Sequence, residues 1–370
     1  MPKIMGFCNL HGNKSLGPLT ENRPLGSTSF LARYALMDFT LSNFSNSGID
    51  KVGILMETQP RSIMKHLGST NVFNNNTKLG FEQVLYNEKH ANNPLYNHDL
   101  NNLRANDWLL LDNRPDVVVI APSDLIYTFD FKPLIKQHLE QQEKVTMVYT
   151  KIKTGKTQFK SCDLVSLQQG RVVGLLQNFG TKDDVDVSLD TFVISTSYLY
   201  QLLAMAPTIS ATFSLKELIR YLLSQGRETF GAYKHLGYAR SFDSLQSYFD
   251  YSMEFLDYDF RRKVFADDWP IYTISHNTAP ASYGPNAIVK NSMIANGAKI
   301  YGTVINSIIS RNVTIEEGAR VENSIIFTDT KVSPDVTIKD AIVDKYVRIE
   351  KTKNLAGKDS PLYIKQGEKL

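Results

Sequence analysis

The stretch "NSIISRNVTIEEGARVENSIIFTDT" (Asn306–Thr330) decides how the second half of the chain folds. Ile309, Ile315, Val321 and Phe327 recur every six positions, with polar or small residues between them and Glu317-Gly318-Ala319 as a turn. A helix repeats every ~3.6 residues and a half-buried strand every ~2, so neither fits. A coil with one inward aliphatic residue on each flat side does, and the spacing predicts a parallel β-helix whose coils stack on one another. The competing architecture is an ordinary β-sandwich. Working outward, the same spacing takes in Ile288, Ile294 and Ile300 before the stretch, with Asn296-Gly297 as a further turn. After it come Val332, Ile338, Val343 and Ile349.

Before "DDWPIYT" (Asp267–Thr273) the texture is different. Met37, Leu41 and Phe44 form a helical stripe that Gly48 should end, and "KVGILM" (Lys51–Met56) follows as a strand. "PDVVVIA" (Pro115–Ala121) is a β-branched run suited to a strand buried on both faces. "FKPLIKQHLEQQ" presents Leu134, Ile135, His138 and Leu139 on one helical face and leads into the strand "KVTMVYT". "LVSLQQGRVVGLLQ" reads as a hairpin turning at Gln169-Gly170. "SLKELIRYLLSQG" is an amphipathic helix with Leu215, Leu218, Ile219 and Leu222 inside and Gly226 as its stop. Repeated β-α units predict an α/β domain with a mostly parallel sheet and ligands at the carboxyl ends of its strands.

At 370 residues the chain can bury two cores. Forty-one basic against 38 acidic residues leave a formal charge of +3, which argues against nucleic acid as a partner. Cys8 and Cys162 make no CxxC pair and read as buried reduced thiols. No apolar run reaches the ~18 residues of a membrane span and no signal peptide is evident, so a cytoplasmic protein without membrane association is expected.

"MGFCNLHGNKSLGPLTENRP" (Met5–Pro24) has the layout of a phosphate-gripping loop, a strand entering a glycine-containing turn. Its interior is crowded by Leu10, His11 and Asn13. "GPLTENR" (Gly17–Arg23), "LMDFTLSNFSNSGI" (Leu36–Ile49), "PSDLIY" (Pro122–Tyr127) and "DDWPIYT" together resemble the glucose-1-phosphate adenylyltransferases (ADP-glucose pyrophosphorylases), over nearly the whole chain. The resemblance implies a Rossmann-like, GT-A-like nucleotidyltransferase domain over 1–250, a linker helix and connection over 251–279, and a left-handed β-helix of hexapeptide repeats over 280–370. The implied reaction joins ATP to glucose 1-phosphate and releases pyrophosphate. It relies on in-line positioning, a glycine loop, cationic clamps and Mg²⁺ held by carboxylates.

Carried over residue by residue, many of those parts are missing. Laid without gaps on the family's GGRGTRL, the chain has Leu10 and His11 for two glycines and Ser15 for the catalytic arginine, with Leu10, His11 and Gly12 as a vestigial substrate-binding loop. Leu25 and Gly26 stand for a lysine-proline step, and Ala35 for an arginine. A glycine-rich adenine segment falls near "NNLRANDWLL", which has no glycine. Asp124 keeps the place of the metal-binding aspartate, whereas Ser241 replaces the second, with Asp243 as a possible substitute. Gln177 and Asn178 stand for an acid and a phosphate-binding lysine of the sugar-phosphate motif, while Lys216 and Glu217 match the family's K-D near the sugar. Arg33 retains a positive charge where the family often contacts anionic effectors. Lys14, beside Ser15, reads as a solvated surface lysine or as a stand-in clamp.

With the phosphate-handling set lost and the fold-determining residues kept, the chain resembles the D-type glycogen-biosynthesis proteins of Gram-positive bacteria. That resemblance implies little or no activity alone, no required cofactor (Mg²⁺ at Asp124 only where residual activity exists), and a catalytic paralogue as partner in a hetero-oligomer, a tetramer. Three readings compete with it. One is an enzyme remodelled around Lys14, Asp124 and Asp243. Another is a sensor whose vestigial pocket binds a phosphosugar or nucleotide. The third, an acyltransferase on the β-helix, is disfavoured because no histidine follows His276.

Overall fold

The structure, a computed structural model, describes residues 2–12, 14–68, 72–74 and 78–370; Asn13 lies outside them. A nine-stranded sheet occupies the N-terminal part. Its order runs Phe81–Tyr86, Lys51–Met56, Ile4–Asn9, Val117–Pro122, Val185–Ser195, Val145–Ile152, Phe230–His235, Arg171–Gln177, Asp163–Gln168. The parallel character expected from the sequence holds across the first four strands. Beyond them the sheet is mixed, because Val185–Ser195 pairs antiparallel with both its neighbours and the hairpin is antiparallel by construction. That hairpin turns where predicted. Gln169 and Gly170 both have positive φ (50° and 76°), the geometry of a tight turn matched to strand twist.

The helix Met37–Asn46 buries its predicted stripe and ends at Gly48, whose φ of 75° terminates it. Two side-chain expectations differ. Leu139 is 38% exposed at the last turn of Phe131–Glu140, past the point where the helix leaves the sheet. In Leu215–Ser224 it is Leu223 that is fully buried, with Leu222 at the margin.

His138, on the helix Phe131–Glu140, lies fully buried between Thr146 Oγ1 (2.9 Å from Nδ1) and Ser195 Oγ (3.0 Å from Nε2). Burial pushes its pKa down from 6.5 to about 4, against the opposing pull of Glu143. The unfolded chain therefore binds more protons than the folded one between these values. The ring's contribution is whole above pH 6.5 and is lost as pH falls toward 4. His138→Gln should flatten the fall in unfolding free energy between pH 6.5 and 4.5, measured by urea titration; an unchanged slope would contradict this.

Three parallel five-stranded sheets form the C-terminal part. Their inward stacks are Ile300-Ile315-Val332-Ile349, Val289-Val304-Val321-Ile338-Leu355 and Ile294-Ile309-Ile326-Val343-Ile364, while Tyr283, in register with Ile300 on the first coil, is 55% exposed. The parallel β-helix is thus as expected, with two corrections to the strict sixfold register. Ile288 is 47% exposed and Val289 points inward in its place. Ile326, not Phe327, joins the stack, because the coils fall short of three full hexads. The shortening occurs at corners held by Asn306, Asn323 and Asp340 in the left-handed region, which Asn and Asp tolerate best.

The residues displaced from the stack hold the two parts together. Ile308, Ile325, Ile342 and Phe327 face outward into an aromatic cluster with Phe30, Phe242, Tyr248 and Phe255. Phe327 meets Tyr248 edge-on at 6.4 Å. At the rim of this seam Arg23 makes a bidentate pair with Asp344 (2.9 and 2.5 Å), and Tyr363 Oη donates to the same carboxylate at 2.7 Å. The loop carrying the expected phosphate grip is therefore bolted to the β-helix.

Candidate functional site

The site is assembled by two ladders. Asn9 pairs in register with Pro122, so the loop after the first strand lies beside Ser123 and Asp124 at the carboxyl ends of two central strands. Ala239–Ser241 pairs antiparallel with Leu125–Tyr127, Ser241 opposite Leu125, which brings Ser241 to the same spot. The two positions matched to metal carboxylates are thus juxtaposed.

Lys14 fills the space between them. It is not a solvated surface lysine: its side chain is only 6% exposed. Its Nζ lies 2.9 Å from Asp124 Oδ2, 3.1 Å from Ser241 Oγ and 3.6 Å from Cys162 Sγ. Burial works against the ammonium, but Asp124 and the nearby Asp190 outweigh it and hold its pKa above the ordinary lysine value. Cys162 is pushed up to about 11 by burial and stays a thiol, its Sγ donating to Ser241 Oγ at 3.5 Å. Behind this group, Asp190 is half-buried, with a left-handed φ of 46°. Burial opposes its charge, yet Lys216 (Nζ–Oδ2 3.1 Å) and Lys14 hold it below the usual carboxylate range. Lys216 is correspondingly raised, chiefly by Asp190.

The rest of the loop is committed to structure. Leu10 is buried in the core with its N–H on Leu55 O (2.9 Å). His11 Nε2 lies 2.9 Å from the Asn102 amide, and burial lowers its pKa to about 4, so the neutral ring accepts there. The segment expected to carry an adenine loop is helical, and Asn102 within it ties down Met56 O and Leu85 O besides His11. Ser15 Oγ accepts from Gly17 N–H (3.1 Å) and meets Thr20 Oγ1 (3.2 Å), which shapes the turn and leaves no cation. Leu25 is buried, and Gly26 lies so near Ser123 that an added Cβ would sit 2.6 Å from its Oγ. Gly12 is exposed beside Asp124.

On the expected sugar-phosphate side the outcome is mixed. Asn178 is buried and its amide donates to Gly155 O, Gln158 O and Phe159 O, so it fastens a loop. Gln177 is exposed at its strand end. Glu217 closes a capping box with Ser214 (Oε2 to N 2.8 Å and to Oγ 2.7 Å). That motif was legible as Ser214-Leu215-Lys216-Glu217, with the glutamate three residues after the serine. Asp243 accepts from Lys160 N–H at 3.3 Å, just before the helix Leu245–Glu254. Arg33 is exposed over the Tyr34 ring, and its carbonyl accepts from Arg311 Nη2 at 3.3 Å. Asp190 and the buried setting of Lys14 are what sequence reasoning missed. The available signal was a lysine in the loop of a chain that had lost one of two neighbouring carboxylates.

The pocket bounded by Asn9–Gly12, Lys14, Ser15, Arg23–Gly26, Glu57–Gln59 and Asp124 measures about 170 Å³. Ligand clefts ordinarily begin at roughly 300 Å³. Of the described cations lining it, Lys14 is taken by Asp124 and Arg23 by Asp344. A divalent ion does not fit here. The space beside Asp124 holds an ammonium, and among the described residues no cluster of three His, Cys, Asp or Glu could hold a metal. No described helix is long and apolar enough to cross a membrane.

A nine-stranded α/β domain with a loop of this kind, followed by a hexad coil, defines a nucleotidyltransferase joined to a hexapeptide β-helix. Two family profiles agree: nucleotidyl transferase over residues 12–159 and GlmU-like C-terminal hexapeptide over 278–361. Over nearly its whole length the chain is similar to glucose-1-phosphate adenylyltransferases. A glucose-1-phosphate adenylyltransferase of Bacillus thuringiensis is 27% identical over 90% of this chain and 89% of its own length. Those of Fervidobacterium nodosum and Desulfitobacterium hafniense are 28% and 26% identical, over 93% and 90% of this chain and 83% and 86% of theirs.

Proposed function

We propose that this chain is a non-catalytic or weakly catalytic regulatory subunit of glucose-1-phosphate adenylyltransferase, acting in glycogen biosynthesis by enhancing a catalytic paralogue within a cytoplasmic hetero-oligomer. The observation that carries this reading is the state of Asp124, the one retained metal carboxylate: it is paired to a buried lysine, and Ser241 stands where its companion should be. Asn178 and Glu217, at matched sugar-phosphate positions, are spent on a loop and a helix cap. Losing single transition-state stabilisers costs roughly 10²–10³ in rate, and here several are absent around one ligand. The remodelled-enzyme reading loses support, since Lys14 and Asp124 neutralise each other and Asp243 is turned to Lys160.

A second reading, an anion sensor, has one favouring observation. Arg311 from the β-helix reaches the Arg33 carbonyl, and its pKa is lowered by burial and by Arg33. An anionic phosphosugar would relieve that crowding. The deciding experiment is an ADP-glucose synthesis assay of this protein, of a catalytic paralogue, and of their mixture. The expected result is near-zero turnover for this chain alone and a mixture faster than the sum of its parts. High turnover in isolation, or a mixture that is merely additive, would overturn the subunit reading.

A further inference from the structure

We propose that Lys14 is a tethered cation that takes the place of a divalent metal ion at Asp124, so that the site is charge-balanced from within and recruits no metal. An ammonium has three N–H donors and no acceptor. Here all three have partners: Asp124 Oδ2 at 2.9 Å, Ser241 Oγ at 3.1 Å and Cys162 Sγ at 3.6 Å. None remains to reach a phosphate, so Lys14 is no replacement clamp. Its position is fixed from both sides of the lost metal pair, by the retained carboxylate and by the hydroxyl that replaced the other.

The charges around it are complementary. Lys14 and Lys216 face Asp124 and Asp190, two cations for two anions in a mostly buried group. Removing a carboxylate at position 241 and burying a lysine are thus one compensated change. A divalent ion beside Asp124 would meet a fixed positive charge a few ångströms away, an unfavourable encounter at the low effective dielectric of a buried site. Expelling the lysine instead would strip a buried ammonium of every partner it has.

The test is direct metal binding by the full-length chain, read by Mn²⁺ electron paramagnetic resonance and by thermal shift with Mn²⁺ or Mg²⁺ at matched ionic strength. Wild type should show no saturable Mn²⁺ binding up to millimolar concentrations and no divalent-specific shift. Lys14→Ala should melt lower than wild type, bind Mn²⁺ at least tenfold more tightly, and regain part of its lost melting temperature with Mn²⁺. Lys132→Ala, at an exposed lysine, should behave as wild type. If Lys14→Ala does not fold, Ser241→Asp decides: with Lys14 present the added carboxylate should still bind no Mn²⁺. Saturable Mn²⁺ binding by wild type or by Ser241→Asp would overturn the proposal, as would a folded Lys14→Ala indifferent to Mn²⁺. The inference shares with the proposed subunit role only the place of Asp124. A metal-binding wild type leaves the mixture assay standing, and an active but metal-blind wild type overturns the subunit role alone.

Discussion

Arg23→Ala should destabilise the protein by about 3–5 kcal/mol, the range for stripping one partner from a buried ion pair. The substitution leaves Asp344, 1% exposed, with its charge and without its bidentate guanidinium. Tyr363 Oη and the Lys345 amide still donate to that carboxylate, at 2.7 Å each, and soften the loss without neutralising it. Arg23→Lys should recover only part of the stability, because a point ammonium cannot reproduce the fork. Arg23→Ala combined with Asp344→Asn should be more stable than Arg23→Ala alone, since the stranded charge is gone. Denaturant unfolding of the four proteins measures this. A cost below about 1 kcal/mol for Arg23→Ala would mean that the pair behaves as a surface bridge. Because Arg23 lies in the loop that lines the pocket while Asp344 lies on a coil, the same variants report how firmly the β-helix holds that loop.

How far the sequence revealed this molecule depended on whether the controlling physics was local. The hairpin at Gln169-Gly170 and the helix stop at Gly48 were legible because each turns on one residue's backbone preference. The β-helix was legible because stacked coils repeat their packing requirement. Its strict register failed at Ile288, which is exposed, and at Phe327, which turns outward to a seam with aromatic residues of the other part, such as Phe30 and Tyr248, distant in sequence. The site was legible in what it lacked: Ser15 and Ser241 could be read against a motif. What took over that space could not. Lys14 lies 227 residues from Ser241, and whether a lysine is solvated or buried depends on Asp124, Asp190 and Cys162 arriving together. Glu217 is the contrary case, a local capping box legible from its spacing to Ser214 at a position that the motif comparison matches to a sugar contact.

The remaining large effect concerns repair of the lost chemistry. Ser15→Arg with Ser241→Asp returns a clamp and a carboxylate to their matched positions, but with Lys14 in place the new carboxylate becomes a second partner for the ammonium, 3.1 Å from where Ser241 Oγ now lies. Adding Lys14→Thr, the residue type at that point of the family's GGRGTRL loop, frees both carboxylates together. The triple variant should therefore exceed the double in Mg²⁺-dependent ADP-glucose synthesis by on the order of 10²-fold, the worth of a transition-state stabiliser restored to an otherwise assembled site. The gain is conditional because such groups act as a unit, each counting only when its neighbours are present. Leu25, Gln177 and Asn178 remain unrepaired, so the triple should still fall well short of a catalytic relative. A radiolabelled glucose 1-phosphate assay on equal amounts of folded protein reads the ratio directly. A double variant as active as the triple would show that Lys14 yields its place when a second carboxylate is offered, and that the buried ammonium is no obstacle to the chemistry.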